Sequence, residues 1–371
     1  FNIATGSNFF FEIAKIRAMR LLWALITDKY NPSSKELQKM FIHSDTSMYN
    51  KTIYDPYVNI LRTTTEAMSA IIAGVDSLAV EAFDFTYKTP DEFSSRIARN
   101  IQLILKYEAN LDKVIDIAGG SYYIEYLTNK IADKAWEIFL NIENNGGFIA
   151  SIENNYIQNE ILKTKTKRDN DIASRKTTIL GVNQYPNINE KIIDNIDKNI
   201  VTQSSHNTSD ENNTNFKTIT PYRSAFQFEN IRLKVEQYHK KTNKIPSVFI
   251  IQIGDLAMRI ARATFISNFF GCIGFKIVSP NPFCTTHDAT TAAIKSDSEI
   301  VVICSSDKEY ETLGYEITKE IKNSSNNKEI IIAGNPVESI NKLKEAGVDN
   351  FIHIKTNALK TLSSYFEKYC K

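Results

Sequence analysis

Phe41-Ile42-His43-Ser44-Asp45-Thr46 reads as a strand whose carboxyl end is polar, and it sets an imidazole beside a carboxylate. At the carboxyl face of a β/α barrel, where that architecture carries its reacting groups, His43 and Asp45 are candidates for general acid–base chemistry. A structural His–Asp pair is the plain alternative. Lys15 and Arg17, at the start of a helix below a strand end, are placed either to meet phosphate or carboxylate or to sit in ordinary ion pairs. Gly119-Gly120-Ser121 offers amides that hold an anion or simply turn the chain into the next helix. Further on, Gly254-Asp255, Ser305-Ser306 and Gly334-Asn335 each follow an apolar run, which is where ligands bind on an open parallel sheet. His206 has no second ligand in reach and is not expected to hold a metal.

The elements that must position these residues follow from spacing. Thr52 to Phe83 reads as one helix-to-strand unit: Asp55 as N-cap and Pro56 at N1 open a helix, Val58, Leu61, Thr65, Met68 and Ile72 form its buried stripe, and Gly74 ends it. Ser77-Leu78-Ala79-Val80 then suits a parallel strand covered on both sides. A long helix from Asn8 through Trp23 precedes this unit. After it, Thr89, Pro90 and Glu92 form a capping box for a helix to about Tyr107, and the short apolar segment Val114–Ile117 leads to a helix over Tyr122–Asn144. Gly146-Gly147 interrupts, and another helix runs to about Lys163. This gives three to four strand-and-helix units, whereas a closed eight-unit barrel takes about 250 residues, so N-terminal strands are expected to lie in sequence preceding Phe1.

Gln203 to Asn215 has nothing apolar to bury and reads as a linker. Beyond it, Val248–Ile253, Ile273–Val278, Ile300–Cys304, Ile330–Ala333 and Asn350–Ile354 are five apolar strands, separated by helices beginning near Leu256, Asp288, Glu309 and Pro336. Asn335, Pro336 and Glu338 repeat the capping pattern. The expected class is α/β: part of a (β/α)8 barrel over residues 1–187, a linker over 188–220 and a flavodoxin-like, doubly wound parallel sheet over 221–371. No GxGxxG or P-loop follows the first strand of that sheet, and its third strand ends in Cys304-Ser305-Ser306, without the acceptor Asp of a receiver domain.

Composition limits the partners. Forty-four Lys and Arg against 43 Asp and Glu, in 371 residues, give a net charge of +1, which argues against a dedicated nucleic-acid or anionic-membrane binder. Cys272, Cys284, Cys304 and Cys370 lack both metal-site spacing and the density of a disulfide scaffold, so they read as reduced thiols in a cytoplasmic protein. No apolar run reaches the ~18 residues of a membrane span.

Several longer motifs then carry a resemblance. Phe9 to Ala18 with Leu22-Trp23, Arg62-Thr63 with Glu66-Ala67-Met68, Arg96-Ile97-Ala98-Arg99-Asn100, Gly119 to Glu125 and Gly181-Val182-Asn183 resemble the methylmalonyl-CoA mutase family, in the right order. Phe228-Glu229 and Ile231-Arg232 are similar to the lead-in of that family's cobalamin-binding domain. The resemblance implies an adenosylcobalamin radical enzyme that interconverts (R)-methylmalonyl-CoA and succinyl-CoA. Catalytic members carry Asp-x-His-x-x-Gly, whose imidazole is the lower axial ligand of cobalt; here the stretch is Asp255-Leu256-Ala257-Met258-Arg259-Ile260. Ala257 has no donor atom, Asp255 is left with no imidazole to orient, and Ile260 replaces the glycine beside the corrin tail. Where catalytic members read His-x-Gln-Thr-Ser-Gly and Ser-Leu-His-Thr-Asn, this chain has His43 to Met48 and Ser77-Leu78-Ala79-Val80-Glu81.

These departures imply the small, non-catalytic subunit of a heterodimeric member. No catalytic, cofactor-binding or metal residue is then expected on this chain, only the degenerate positions His43, Asp45, Ala79, Asp255, Ala257 and Ile260. Adenosylcobalamin and the acyl-CoA would sit on the large catalytic subunit. Two alternatives are a competent acyl-CoA mutase with an atypical cobalt ligand such as His287, and a non-enzymatic small-molecule binding module.

Overall fold

The structure, a computed structural model, describes residues 1–197, 216–324 and 327–370. The expected linker Gln203–Asn215, with His206, lies outside the described residues. The chain divides into two units: Phe1–Lys167 with Asn195–Ser224, and Arg168–Asp194 with Ala225–Lys371. Residues 168–187, grouped with the barrel part on sequence grounds, cluster with the second unit, because Ile172, Ile179 and Val182 are buried in its core beside Phe228 and Phe269.

In the first unit β1 (Asn2–Thr5), α1 (Phe9–Asp28), β2 (His43–Thr46), α2 (Val58–Ile72) and β3 (Ser77–Ala79) form a βαβαβ run whose strands pair in parallel in the order β1-β2-β3. Ile13 and Ile16 of α1 bury against Met40, Ile42 and Ile124. The Arg20 guanidinium ties that helix to the strand entrances, donating to the carbonyls of Met40 and Gly74 and to Asp76.

The α2 helix ends as expected, with Gly74 at φ +77° and the amides of Gly74 and Val75 reaching back to the carbonyls of Ile71 and Ala70. Its start and its buried face differ from the sequence reading. Asp55 takes φ +50° in a turn and the helix begins at Val58. The buried residues are Asn59, Thr63, Glu66, Ala67, Ser69 and Ala70, while Leu61 is 66 % exposed. Polar groups turn inward because they bind the loops beyond β2 and β3: Asn59 donates from Nδ2 to the carbonyls of Thr52 and Phe83, at 2.8 and 2.9 Å.

Three further helices follow in this unit's sequence: α3 (Glu92–Tyr107), α4 (Tyr122–Asn144) and α5 (Gly147–Glu153); α6 (Tyr156–Ala173) comes next. The box that opens α3 is Asp91 with Ser94, each side chain bonding the other's backbone amide, in place of Thr89 with Glu92. Val114–Ile117 forms turns. Asn110 before it and Asp116 within it have positive φ and Ile115 is 98 % exposed, so no strand forms there.

The second unit is α7 (Phe226–Thr242), β4 (Ser247–Gln252), α8 (Leu256–Gly271), β5 (Lys276–Val278), α9 (Thr286–Lys295), β6 (Ile300–Cys304), α10 (Leu313–Ser324), β7 (Glu329–Ala333), α11 (Ile340–Ala346), β8 (Asn350–Ile352) and α12 (Ala358–Tyr369). Its sheet is parallel throughout, in the order β5-β4-β6-β7-β8. Alternate residues feed two separate cores: Val248, Ile250, Val302 and Ile331 on one face, Phe249, Ile251, Val301, Ile303 and Ile332 on the other. Burial on both faces is why these strands read as unbroken apolar runs. The β5 strand starts three residues later than its apolar run because Gly274, at φ +76°, turns the chain before Phe275. Likewise α11 begins at Ile340, after Pro336. The α12 helix, capped by the Asn357 side chain at Lys360 N and anchored by Leu362 and Tyr365, had no assignment from sequence.

Candidate functional site

In the first unit β2 starts at His43 and not at Phe41, so His43 stands at the amino end of the strand rather than at its carboxyl end. Parallel register sets it opposite Ser77 and Asp45 opposite Ala79, and three of the singled-out residues come together on β2 and β3. The His43 ring lies between two partners, with Nδ1 2.7 Å from Ser77 Oγ and Nε2 3.3 Å from Asp45 Oδ1. A hydroxyl, an imidazole and a carboxylate in line can relay a proton. Ala79 adds no functional group to that line.

Beyond these strands lies a charged pair that sequence reasoning missed. Lys51 Nζ contacts Glu66 Oε2 at 2.7 Å, with both side chains 1 % exposed, and also donates to the Ser47 carbonyl and to Asn50 Oδ1. Burial pushes the Lys51 ammonium down and the Glu66 carboxyl up from their ordinary values, against the attraction between the two. Burial also raises the Glu81 carboxyl, with Asp45 adding repulsion.

The two features of this unit read as anion holders are occupied by the chain's own acids. Arg17 forks onto Asp116 at 2.9 and 3.0 Å and reaches Glu125 at 2.8 Å, while Lys15 donates to the Ala4 carbonyl. The amide of Gly120, in the Gly-Gly-Ser turn, donates to the same Glu125 carboxylate at 3.0 Å. Arg17 thus sits in ordinary ion pairs within the chain, the second alternative of the sequence reading.

In the second unit Asp255 caps α8, its Oδ1 accepting the Met258 amide at 2.9 Å. Ala257 is exposed on the first turn, and Ile260, 50 % exposed, borders a groove of about 410 Å³ shared with Gln252, Ala263, Ser267 and Ser279. Asp255, Ala257 and Ile260 thus stand together on one helix start, at the carboxyl end of β4. His287 is elsewhere, exposed in the first turn of α9 after edge strand β5. No donor atom occupies the position at which the resemblance would put the cobalt ligand, and the Asp255 carboxylate is committed to its cap. The residues present do not fit the cofactor. Among the described residues no three His, Cys, Asp or Glu side chains group as a metal site.

Between the carboxyl ends of β4 and β6 the crevice holds Glu309. Its carboxylate accepts the Asp255 amide at 3.0 and 3.1 Å, the Ser306 amide at 3.2 Å and the hydroxyls of Ser305 and Ser306, both at 2.7 Å. The return of this side chain goes with a 3-10 turn at Glu309–Glu311, so α10 itself begins only at Leu313. Gly254 has φ +78°, and a Cβ there would collide with the Glu309 carboxylate and the Ser305 hydroxyl. Next to it Arg262 donates to the Ser305 carbonyl and to Asp307, and its guanidinium lies 5.1 Å over the Tyr310 ring. Sequence inspection had marked the Ser305-Ser306 strand end but not the carboxylate that fills it. The available signal was an acid three and four residues after two serines at a strand end.

Hydrogen bonds, first from the Asp255 amide and then from the Ser305 hydroxyl, hold the Glu309 carboxyl down at about 2. An unfolded Glu titrates near ~4.3, so this carboxylate contributes stability that is full above that pH and is lost as pH falls toward about 2. Glu309→Gln is therefore expected to flatten the acid limb of the stability profile: the gap between wild type and variant should narrow steadily below about pH 4.3. Urea unfolding of both proteins from pH 6 down to the lowest pH at which they remain folded measures this, and a constant gap would contradict it.

Comparison with known proteins follows the same lines. Residues 1–239 match the family model described as methylmalonyl-CoA mutase. The chain is 43 % identical, over an alignment of 373 residues that takes in all of it, to a methylmalonyl-CoA mutase small subunit of Porphyromonas gingivalis, covering 58 % of that protein. It is 29 % identical over 368 residues to the methylmalonyl-CoA mutase small subunit of Streptomyces virginiae, 99 % of this chain and 56 % of the other. A methylmalonyl-CoA mutase of Rhizobium meliloti is 41 % identical over 194 residues, 52 % of this chain. The chain spans a little over half the length of the small subunits it matches.

Proposed function

Because the chain belongs to the methylmalonyl-CoA mutase family, we propose that it is the catalytically silent small subunit of a heterodimeric mutase. In this reading a larger homologous chain isomerises (R)-methylmalonyl-CoA and succinyl-CoA and holds both the acyl-CoA and adenosylcobalamin. The cofactor supplies the radical through homolysis of its cobalt–carbon bond. The three-stranded sheet is part of a β/α barrel, and the five-stranded sheet, in which the first strand lies between the second and third, is flavodoxin-like and descended from a cobalamin-binding domain. The assembly works in the cytoplasm. Among the described residues no helix is long and apolar enough to cross a membrane.

The observation that carries the reading is Ala257, an exposed methyl on the first turn of α8 where a cobalt ligand would have to stand. Full-length similarity to proteins named as small subunits supports the assembly. Titrating the intact protein with adenosylcobalamin, alone and after co-expression with the larger homologue that keeps Asp-x-His-x-x-Gly, tests it. The expected result is a stable pair that binds cofactor and turns over, with neither binding nor turnover by this chain alone. Stoichiometric cofactor binding by this chain alone would overturn the reading.

A further inference from the structure

The sheet order puts β5 on one side of β4 and β6 on the other, so the chain reverses direction across the sheet at the β4–β6 crevice. That switch point is where open parallel sheets bind ligands, and here it is lined as an anion site. Two backbone amides, of Asp255 and Ser306, and two hydroxyls, of Ser305 and Ser306, converge on one carboxylate. Every one of these donors is neutral, as in the concave amide and hydroxyl cradles that hold phosphate and carboxylate groups. Gly254 leaves open the space into which the carboxylate fits, since any side chain there would strike it.

We propose that Glu309 is an internal ligand, whose carboxylate fills a small-oxyanion site at the β4–β6 switch point and keeps it closed to external carboxylate and phosphate. A carboxylate that merely tied down a loop would leave no receptor behind when removed. An internal ligand leaves its receptor: the amides and hydroxyls are held by β4, β6 and the start of α8, and they still face the vacated volume. Removing the Glu309 side chain should therefore create a saturable site for an anion of carboxylate size. This deepens the reading of a cofactor-silent chain by naming what occupies its ligand crevice.

The test is chemical rescue of Glu309→Ala in the intact protein, with sodium acetate and inorganic phosphate as probes and chloride at equal ionic strength as control. The variant is expected to melt roughly 5 °C below wild type in chloride, and to recover at least half of that loss in acetate along a saturating curve. Wild type and Glu309→Gln, whose crevice stays filled, should respond alike to all three salts. Adding Ser305→Ala and Ser306→Ala to Glu309→Ala should abolish the rescue. If Glu309→Ala does not fold in chloride, recovery of the native circular dichroism in acetate supports the proposal in the same way. No specific effect of acetate or phosphate, in either form of the experiment, overturns it. The outcome is independent of the cobalamin titration: cofactor binding by wild type would remove the silent-subunit reading, whereas a failed rescue would remove only the internal ligand.

Discussion

Lys51→Met, with Glu66 left in place, is expected to destabilise the protein by about 3–5 kcal/mol, because it strands a carboxylate in a site that water does not reach. In the wild type that carboxylate meets Lys51 at 2.7 Å and Asn50 Nδ2 at 2.7 Å. Without the ammonium the Asn50 amide and the Ser47 backbone remain as neutral partners, and Glu66 must either stay charged without a counter-ion or take up a proton. Replacing both residues, as Lys51→Met with Glu66→Met, removes the uncompensated charge and should cost far less, close to neutral. The single variant also carries a pH signature. Burial already raises the Glu66 carboxyl, and loss of Lys51 raises it further. An acid whose folded pKa lies above its unfolded value takes stability away as pH rises past about 4.3, so the penalty should be smaller at pH 5 than at pH 7. Urea unfolding of the three proteins at both pH values decides the matter; a single variant within about 1 kcal/mol of wild type at pH 7 would mean that water or another group reaches Glu66.

That pair also explains why the first unit was harder to read than the second. Hydrophobic periodicity finds a helix face only when the face is apolar, and α2 buries Asn59, Thr63 and Glu66 while exposing Leu61. The spacing located the helix and its glycine stop but rotated it. Its polar face serves the loops beyond β2 and β3, a tertiary demand that leaves no local pattern. Competing caps produced smaller displacements: Thr89 with Glu92 and Asp91 with Ser94 both satisfy capping chemistry, and only the second pair is used. The second unit did not pose the first problem, since β4, β6 and β7 are covered on both faces and each resolves as a separate apolar run. Its caps were displaced in the same way: the Asn335, Pro336 and Glu338 pattern goes unused and α11 begins at Ile340. Site positions followed the same division. Asp255, Ala257 and Ile260 were placed by their short distance from a legible strand, whereas Glu309 looks like any surface acid in Asp307-Lys308-Glu309 until the strand ends are assembled around it.

Ala257→His alone is expected to restore no histidine-on cobalamin complex. Its affinity for adenosylcobalamin should stay weaker than about 1 mM, equivalent to less than roughly 4 kcal/mol of binding free energy. Three features oppose the restored imidazole. Its natural orienting partner, Asp255, is engaged by the Met258 amide at 2.9 Å, and an unoriented imidazole is a poorer ligand. Ile260 projects into the groove beside Gln252, Ser267 and Ser279, where a corrin tail would have to approach the helix. Glu309 fills the crevice between β4 and β6 and would present a charge to anything entering it. The obstacles separate by variant. Ile260→Gly clears the groove at a helix-propensity cost of about 1 kcal/mol, and Glu309→Ala clears the crevice. Absorbance titration with calorimetry should therefore find no complex for Ala257→His or for Ala257→His, Ile260→Gly, and a measurable one only when Glu309→Ala is added to both. Tight binding by the single variant would show that a lost ligand is the whole reason for silence. Binding by the double variant would assign the block to Ile260, leaving Glu309 as a bystander to the corrin, because a tail that enters with the carboxylate still in place never needed the space it occupies.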